Sequence, residues 1–347
     1  MNSVLYPRVV SIGLVVLLLA SATGAAQENE AFTRALAQFR AGESARAIAL
    51  FDEVEKNSPG TTDALLYKAK ALTRLQRFPE ADEALRQYVK THPASDEALY
   101  LLGFVLHREQ KPEDSLKVYT QAAAIRVPTG DELKIVGLNY VLLNDISGAI
   151  KWLEKAVSFE PKNKDAWYYL GRAYFTQGNL PEAAKAFLTV LELNPRDPKA
   201  ENNLGLVFQS QAKPEEALAA YRNAIAWQEA TEHSSEQPYL NLGSLLLEQN
   251  NLEEAIPPLE KAVSLAPENA LCHLKLGVAY LRATRLLDAQ RELESSTRID
   301  PENAAAHFQL ARTYKQLKQN DLAKLEFAKA EELQSRAASK TTPRPLP

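Results

Sequence analysis

The chain has 347 residues with 40 basic and 44 acidic side chains, a formal net charge of −4 and a pI of about 5.9, which gives no electrostatic case for nucleic-acid binding. Its one cysteine, Cys272, excludes an intrachain disulfide. Length alone predicts two or three globular domains, a prior that internal repetition overrides.

The first 27 residues differ from the rest. Arg8 and the amino terminus make a positive start, Val9 to Ala20 is an apolar run, and Ser21 to Ala26 are small residues. That is the order of a secretory signal peptide, expected over residues 1–26. Gly24-Ala25-Ala26 is the preferred cleavage site and Ala20-Ser21-Ala22 the second. The alternative is an uncleaved inner-membrane anchor, for which the apolar run is short. Glu28 and Glu30 follow, a charge order that favours translocating everything downstream. The expected location is periplasmic or secreted, with no membrane span in the mature chain.

From residue 28 a 34-residue period runs through the sequence. A small residue recurs at Ala35, Ala69, Gly103, Gly137, Gly171 and Gly205 and, after a step of 38, at Gly243, Gly277 and Ala311. A second series is Ala47, Ala81, Ser115, Ala149, Ala183, Ala217, Ala255, Ala289 and Ala323. Prolines follow at Pro59, Pro93, Pro161, Pro195, Pro267 and Pro301, with Pro128 one residue late. The period divides the chain into repeats 28–61, 62–95, 96–129, 130–163, 164–197, 198–231, 236–269, 270–303 and 304–337, ahead of a tail, 338–347, expected to be disordered.

The unit from Lys164 to Asp197 shows what the period encodes. Trp167, Leu170 and Tyr174 fall three and four apart and share one face of a first helix. Gly171 sits beside them, where its loss of about 1 kcal/mol in helix propensity makes sense if another helix approaches closely. Gly178 and Asn179 supply a turn, Pro181 and Glu182 suit the first turn of a second helix, and Pro195 stops it. Two short helices cannot bury both apolar faces against each other, so each unit needs copies on either side.

Trp167, Leu170-Gly171, Tyr174, Ala183, Phe187 and Pro195 together resemble the signature of the tetratricopeptide repeat (TPR) family. The resemblance covers Glu28 to Ala337 and is weaker in the first repeat, where Ala31 and Arg34 stand in place of Trp and Leu. It implies an all-α fold, an α-solenoid (right-handed superhelix) of nine helix-turn-helix repeats whose first helices line a groove for a partner protein or peptide. The groove positions would be Phe32, Phe39, Leu66, Lys70, Tyr100, Phe104, His107, Lys134, Leu138, Tyr168, Arg172 and Phe175, with aromatics as anchors and cations to orient the ligand. Asn203 and Asn241, each just before Leu-Gly, resemble two rungs of the asparagine ladder in the TPR region of O-linked N-acetylglucosamine transferase. An amide there can donate to and accept from any peptide bond. The carboxylate clamp of chaperone-binding TPR domains is not matched, because Lys134 is followed by Leu138, Tyr169, Lys199 and Asn203.

Other features have plainer readings. Arg40, Arg74 and Arg108 either form a basic ladder or, as favoured, complement helix C-termini. Four extra residues between Ala224 and Tyr239 predict a second helix one turn longer, with a hinge or partner-contacting bump as the alternative. Pro257 and Pro258 fall in a second helix, near whose start a missing donor costs little, and Pro258 is expected to lie late enough to bend the first turn. Cys272 is read as a packed side chain, and His273 and His307 as packing residues in the Trp167 position, no acidic side chain being expected to share their spacing. Lys324, Glu326, Lys329, Glu331 and Glu332 give the last helix a wettable outer face.

No phosphate-cradling glycine loop, HExxH, CxxC or Gly-x-Ser-x-Gly occurs. Leader, repeats, insertion and tail leave no room for a separate catalytic domain. The expectation is a non-enzymatic exported scaffold with no cofactor, metal or nucleic acid, at work in a bacterial cell-envelope assembly. The alternative is an accessory subunit of an envelope enzyme or export complex.

Overall fold

The computed structural model describes residues 30–57, 63–230 and 234–341. The signal-peptide reading of residues 1–26, Pro59 and the last six residues lie outside them. Eighteen helices and no strand are found among the described residues: α1 (30–40), α2 (Ser44–Asn57), α3 (Ala64–Arg74), α4 (Phe78–Thr91), α5 (Asp96–Arg108), α6 (Pro112–Ala123), α7 (Gly130–Leu142), α8 (Ile146–Phe159), α9 (Lys164–Gln177), α10 (Leu180–Leu193), α11 (Pro198–Ser210), α12 (Pro214–Glu229), α13 (Gln237–Glu248), α14 (Leu252–Leu265), α15 (Ala270–Arg282), α16 (Leu286–Ile299), α17 (Ala304–Gln316) and α18 (Asn320–Thr341). Odd-numbered helices are first helices of a pair and even-numbered ones second helices. The fold is an all-α solenoid of nine such pairs. Two compact units divide at Ala173/Tyr174, within α9.

The recurring small residue explains the pairing. A Cβ added to Gly103 would lie 2.6 Å from the Tyr119 ring, and one on Gly137 2.7 Å from Leu153; in unit 2 the distances are 2.5 Å from Gly205 to Tyr221, 2.5 Å from Gly243 to Leu259 and 2.6 Å from Gly277 to Leu293. In each of these five pairs the first helix therefore gives up a side chain so that a large residue of the second helix can lie across it. Tyr221, Phe51, Phe187, Leu85, Leu153, Leu259 and Leu293, all at this position, are fully buried, each worth about 1.5–3 kcal/mol of burial.

The ends of the helices repeat as strictly. Ser95, Thr129, Asn163, Asp197, Asn269 and Asn303 accept a backbone N–H at the start of a first helix. The turn inside each pair passes through one left-handed residue: Gly42, Gln76, Gln110, Asn144, Gly178, Ala212, Asn250, Thr284 and Lys318 all have φ between +56° and +85°. Only two are glycine, so the turn is imposed by the flanking helices more than by local preference.

Within unit 1, α2 to α8 pack in chain order, and α3 also meets α5 as α5 meets α7. In unit 2, α10 to α18 do likewise, with α11, α13, α15 and α17 meeting in succession. Second helices do not meet one another among the described residues. First helices therefore crowd together on the inner side of each unit.

Several expectations are corrected. α12 has 16 residues against 14 in α10 and α14, half a turn more and not a full one. The buried Gln228 holds Ser235 beyond the helix end, its Nε2 donating to the Ser235 carbonyl (2.9 Å) while its Oε1 accepts the Ser235 N–H (3.0 Å). Pro257 and Pro258 lie inside α14, beyond its first turn, and the helix continues through both. α18 runs to Thr341, past the point at which the ordered chain was expected to end. Arg74 and Arg282 share a more specific job than complementing a dipole: Nη1 of each donates to the last turn of the preceding first helix, at the Phe39 carbonyl (2.9 Å) and the Leu247 carbonyl (2.8 Å).

Candidate binding site on the first-helix face

In unit 1 a cavity of about 680 Å³ opens where α3, α5 and α7 converge. Tyr100, Leu101, Phe104 and Ile135 form its apolar floor, together with Tyr119 reaching across from α6. Tyr100 and Tyr119 stand 5.7 Å apart between ring centroids. The rim is charged: Lys70 binds Glu97 (2.7 Å) and Lys134 binds Asp131 (2.7 Å), with Asp165 at 3.9 Å. The Lys134 bond, then one from Asn163, holds the Asp131 carboxyl below the usual carboxylate range.

Arg126, in the α6–α7 connection, locks one wall. Its Nε donates to Asp96 (2.6 Å), its Nη2 to Glu132 (2.7 Å) and its Nη1 to the Val127 carbonyl (2.8 Å). The guanidinium lies 4.2 Å over the Tyr100 ring, and the Tyr100 hydroxyl donates to the Arg126 carbonyl (2.6 Å). Glu132 is also half of a capping box with Thr129 at the start of α7. With most of its donors committed to Asp96, Glu132 and Val127, Arg126 acts as a clasp.

The expected site residues divide. Tyr100, Phe104 and Lys134 come together here. Tyr100 is only 4% exposed, so it is not an exposed anchor. Phe39 and Leu66 are likewise buried, and Phe39 is covered by Arg74 at 3.8 Å. His107 turns inward: its Nδ1 donates to Oδ1 of the fully buried Asn139 (2.9 Å), whose Nδ2 donates to Ser115 (2.7 Å), which donates to the Gly103 carbonyl (2.6 Å). Burial pushes the His107 imidazole below its ordinary pKa. Tyr168, half-buried, meets Tyr169 edge-on at 5.5 Å, and Arg172 is exposed.

Phe175, Asn203 and Asn241 belong to unit 2. Phe175 is half-buried. Asn203 donates to the Lys199 carbonyl of its own helix (2.7 Å), whereas Asn241 donates to Asn202 (2.9 Å). The amide pair that joins adjacent repeats is thus Asn202–Asn241, one residue away from the expected ladder.

The structure also adds Asp96, Glu97, Leu101, Tyr119 and Arg126. Tyr119 occupies the Phe187 register position, which marked it as core; only its hydroxyl distinguishes it. Elsewhere Cys272 is buried, its thiol pushed up to about 11 by burial. His273 and His307 do have acidic partners at the same 34-residue spacing, Glu292 (2.8 Å) and Glu326 (2.5 Å), contrary to expectation. Their other ring nitrogens meet the Pro267 and Pro301 carbonyls, as Trp167 Nε1 meets that of Pro161. Among the described residues no three His, Cys, Asp or Glu side chains converge as metal ligands, and no helix is long and apolar enough to cross a membrane.

Family models described as tetratricopeptide repeat match residues 32–81, 68–130, 137–201, 197–268 and 304–336, well over half of the chain. Cellulose synthase operon protein C of Pseudomonas fluorescens is 26% identical over 169 residues, 46% of this chain and 13% of that protein. Type IV pilus assembly protein PilF of Pseudomonas aeruginosa is 32% identical over 109 residues, 31% of this chain and 42% of that protein. The chain spans less than half the length of these curated relatives. A solved tetratricopeptide repeat protein from Parabacteroides merdae has the same fold, with a TM-score of 0.58 at 18% identity over 72% of this chain and 98% of that one. The chain belongs to the tetratricopeptide repeat family.

Proposed function

We propose that this protein is a non-catalytic scaffold that binds a segment of a partner protein on the first-helix face of unit 1. The observation that carries the reading is the 680 Å³ cavity between α3, α5 and α7, with an apolar floor and a rim of ion pairs. Such a surface offers area to bury and charges to set register. The fold alone would not identify the ligand.

The setting we infer is the bacterial cell envelope, reached through the leader in residues 1–26. The order of charge, apolar run and small residues supports export, and the names of the cellulose synthase operon and type IV pilus relatives agree with an envelope assembly. The apolar run Val9 to Ala20 also supports the second reading, an accessory subunit of an envelope enzyme or export complex held by an uncleaved anchor. Cell fractionation with amino-terminal sequencing tests both. A soluble envelope form beginning at Gln27 is expected; a membrane-bound form beginning at Met1 would favour the anchor, and a cytosolic form would overturn export. Co-purification then separates a scaffold from an accessory subunit, since an accessory subunit should recover one stoichiometric enzyme whose rate changes on binding.

A further inference from the structure

Two tyrosines occupy the Phe187 position of their repeats, and they differ in one respect. The Tyr221 hydroxyl donates to Gln209 (2.8 Å). In the repeat of Tyr119 the residue equivalent to Gln209 is His107, and His107 is committed to Asn139. Tyr119 is 4% exposed, and its hydroxyl has no hydrogen-bond partner among the described residues while its side chain lines the α3–α5–α7 cavity. The hydroxyl oxygen is not among the buried unpartnered polar atoms of the described residues, so it opens to the cavity, where it can donate to and accept from a group that enters.

The rim says what charge that ligand carries. The ammonium groups are withdrawn, with the Lys70 and Lys134 side chains 20% and 13% exposed, while their partners Glu97 and Asp131 are 62% and 68% exposed. Arg126 is already engaged by Asp96, Glu132 and the Val127 carbonyl. An approaching molecule therefore meets carboxylates first. Four carboxylates and three cations line the cavity, Asp96, Glu97, Asp131 and Glu132 against Lys70, Arg126 and Lys134, so one negative charge is unbalanced.

We propose that this cavity takes a basic, extended protein segment that seats one apolar side chain against Leu101, Phe104 and Ile135, sets flanking Lys or Arg against Glu97 and Asp131, and bonds its backbone to the Tyr119 hydroxyl. The proposal rests on the reading of this face as a protein-binding site and adds the chemistry of the ligand. An acidic segment is disfavoured because it would meet the two exposed carboxylates before reaching either lysine.

The test is selection of a displayed library of random ten-residue peptides on the full-length chain, followed by titration of the enriched peptides against variants. Enrichment of Lys or Arg beside a Leu, Ile or Phe is expected. Affinity should fall about tenfold in the double variant Glu97→Gln/Asp131→Asn and about three- to tenfold in Tyr119→Phe, which keeps the ring and removes only the hydroxyl. Thermal melting of both variants, expected to stay near that of the parent, separates lost binding from lost fold. Enrichment of acidic peptides whose binding depends on Lys70 and Lys134 would overturn the proposal while keeping the face as a binding site. Peptides insensitive to every cavity substitution, or no enrichment at all, would overturn both.

Discussion

Nδ1 of His273 lies 2.8 Å from a Glu292 carboxylate oxygen while its Nε2 lies 2.9 Å from the Pro267 carbonyl. The ionised Glu292 and the Pro267 carbonyl both accept, so the doubly protonated ring satisfies both partners and the pair favours the charged imidazole. The Glu292 bond raises the His273 pKa, and the same bond lowers that of Glu292.

A raised histidine stabilises the fold fully below its unfolded value of about 6.5 and ceases to as pH rises through the folded value. The depressed Glu292 acts at the other end: its contribution is present above the ordinary carboxylate value and is lost as pH falls through the folded one. Melting temperature should therefore decline as pH rises above neutrality, and His273→Gln should flatten that decline. An unchanged alkaline slope in the variant would sever the link to this pair.

His107 has the opposite sign, because burial lowers its pKa and the fold holds it neutral. Its stabilisation is lost as pH falls below the unfolded value. Asn139→Ala leaves His107 Nδ1 and the Ser115 hydroxyl without their shared partner and should destabilise by about 2–3 kcal/mol, against about 1 kcal/mol for Ser115→Ala. Urea denaturation of the two variants checks the order.

Gly103→Ala places a methyl 2.6 Å from the Tyr119 ring. The expected loss is about 1–3 kcal/mol from overpacking, with a Tyr119 displacement that also weakens binding in the cavity. Ala at the same register position in Ala35, Ala69 and Ala311 is already tolerated, fully buried in all three pairs. A neutral Gly103→Ala would mean that the rings can retreat, and the melting curve decides.

Thr284 turns the chain between α15 and α16 at φ +59°, a left-handed conformation that a β-branched residue adopts at a penalty. Gly42 and Gly178 fill the same position without it. Thr284→Gly should raise stability by about 1 kcal/mol, measured as an increased urea midpoint; a decrease would show that the Thr284 side chain does more there than its backbone loses.

Much of the fold was legible because it is written nine times. The small residue at Gly103 and its equivalents marks the close approach within each pair, whereas the caps Ser95, Thr129, Asn163, Asp197, Asn269 and Asn303 emerge only from the structure. The left-handed turn was legible at Gly178 but not at Gln76, Ala212 and Thr284, which carry no turn signature. The binding face was half legible. Periodicity places Tyr100, Phe104 and Lys134 on one side, but it cannot tell that Tyr100 is clasped by Arg126 or that His107 turns to Asn139. Those outcomes depend on side chains roughly one repeat away in sequence. Tyr119 was hidden for a related reason: at a core position, the signal is a single hydroxyl.

The central claim is that partner protein docks where α3, α5 and α7 meet. The most direct measurement places a photo-crosslinking amino acid at Ile135, inside the cavity, or at Leu287, 73% exposed on α16, in the source cells. Ile135 should give a discrete adduct whose crosslinked peptide is extended and carries Lys or Arg, and Leu287 should give none. The same adduct at Leu287 with none at Ile135 would contradict the account.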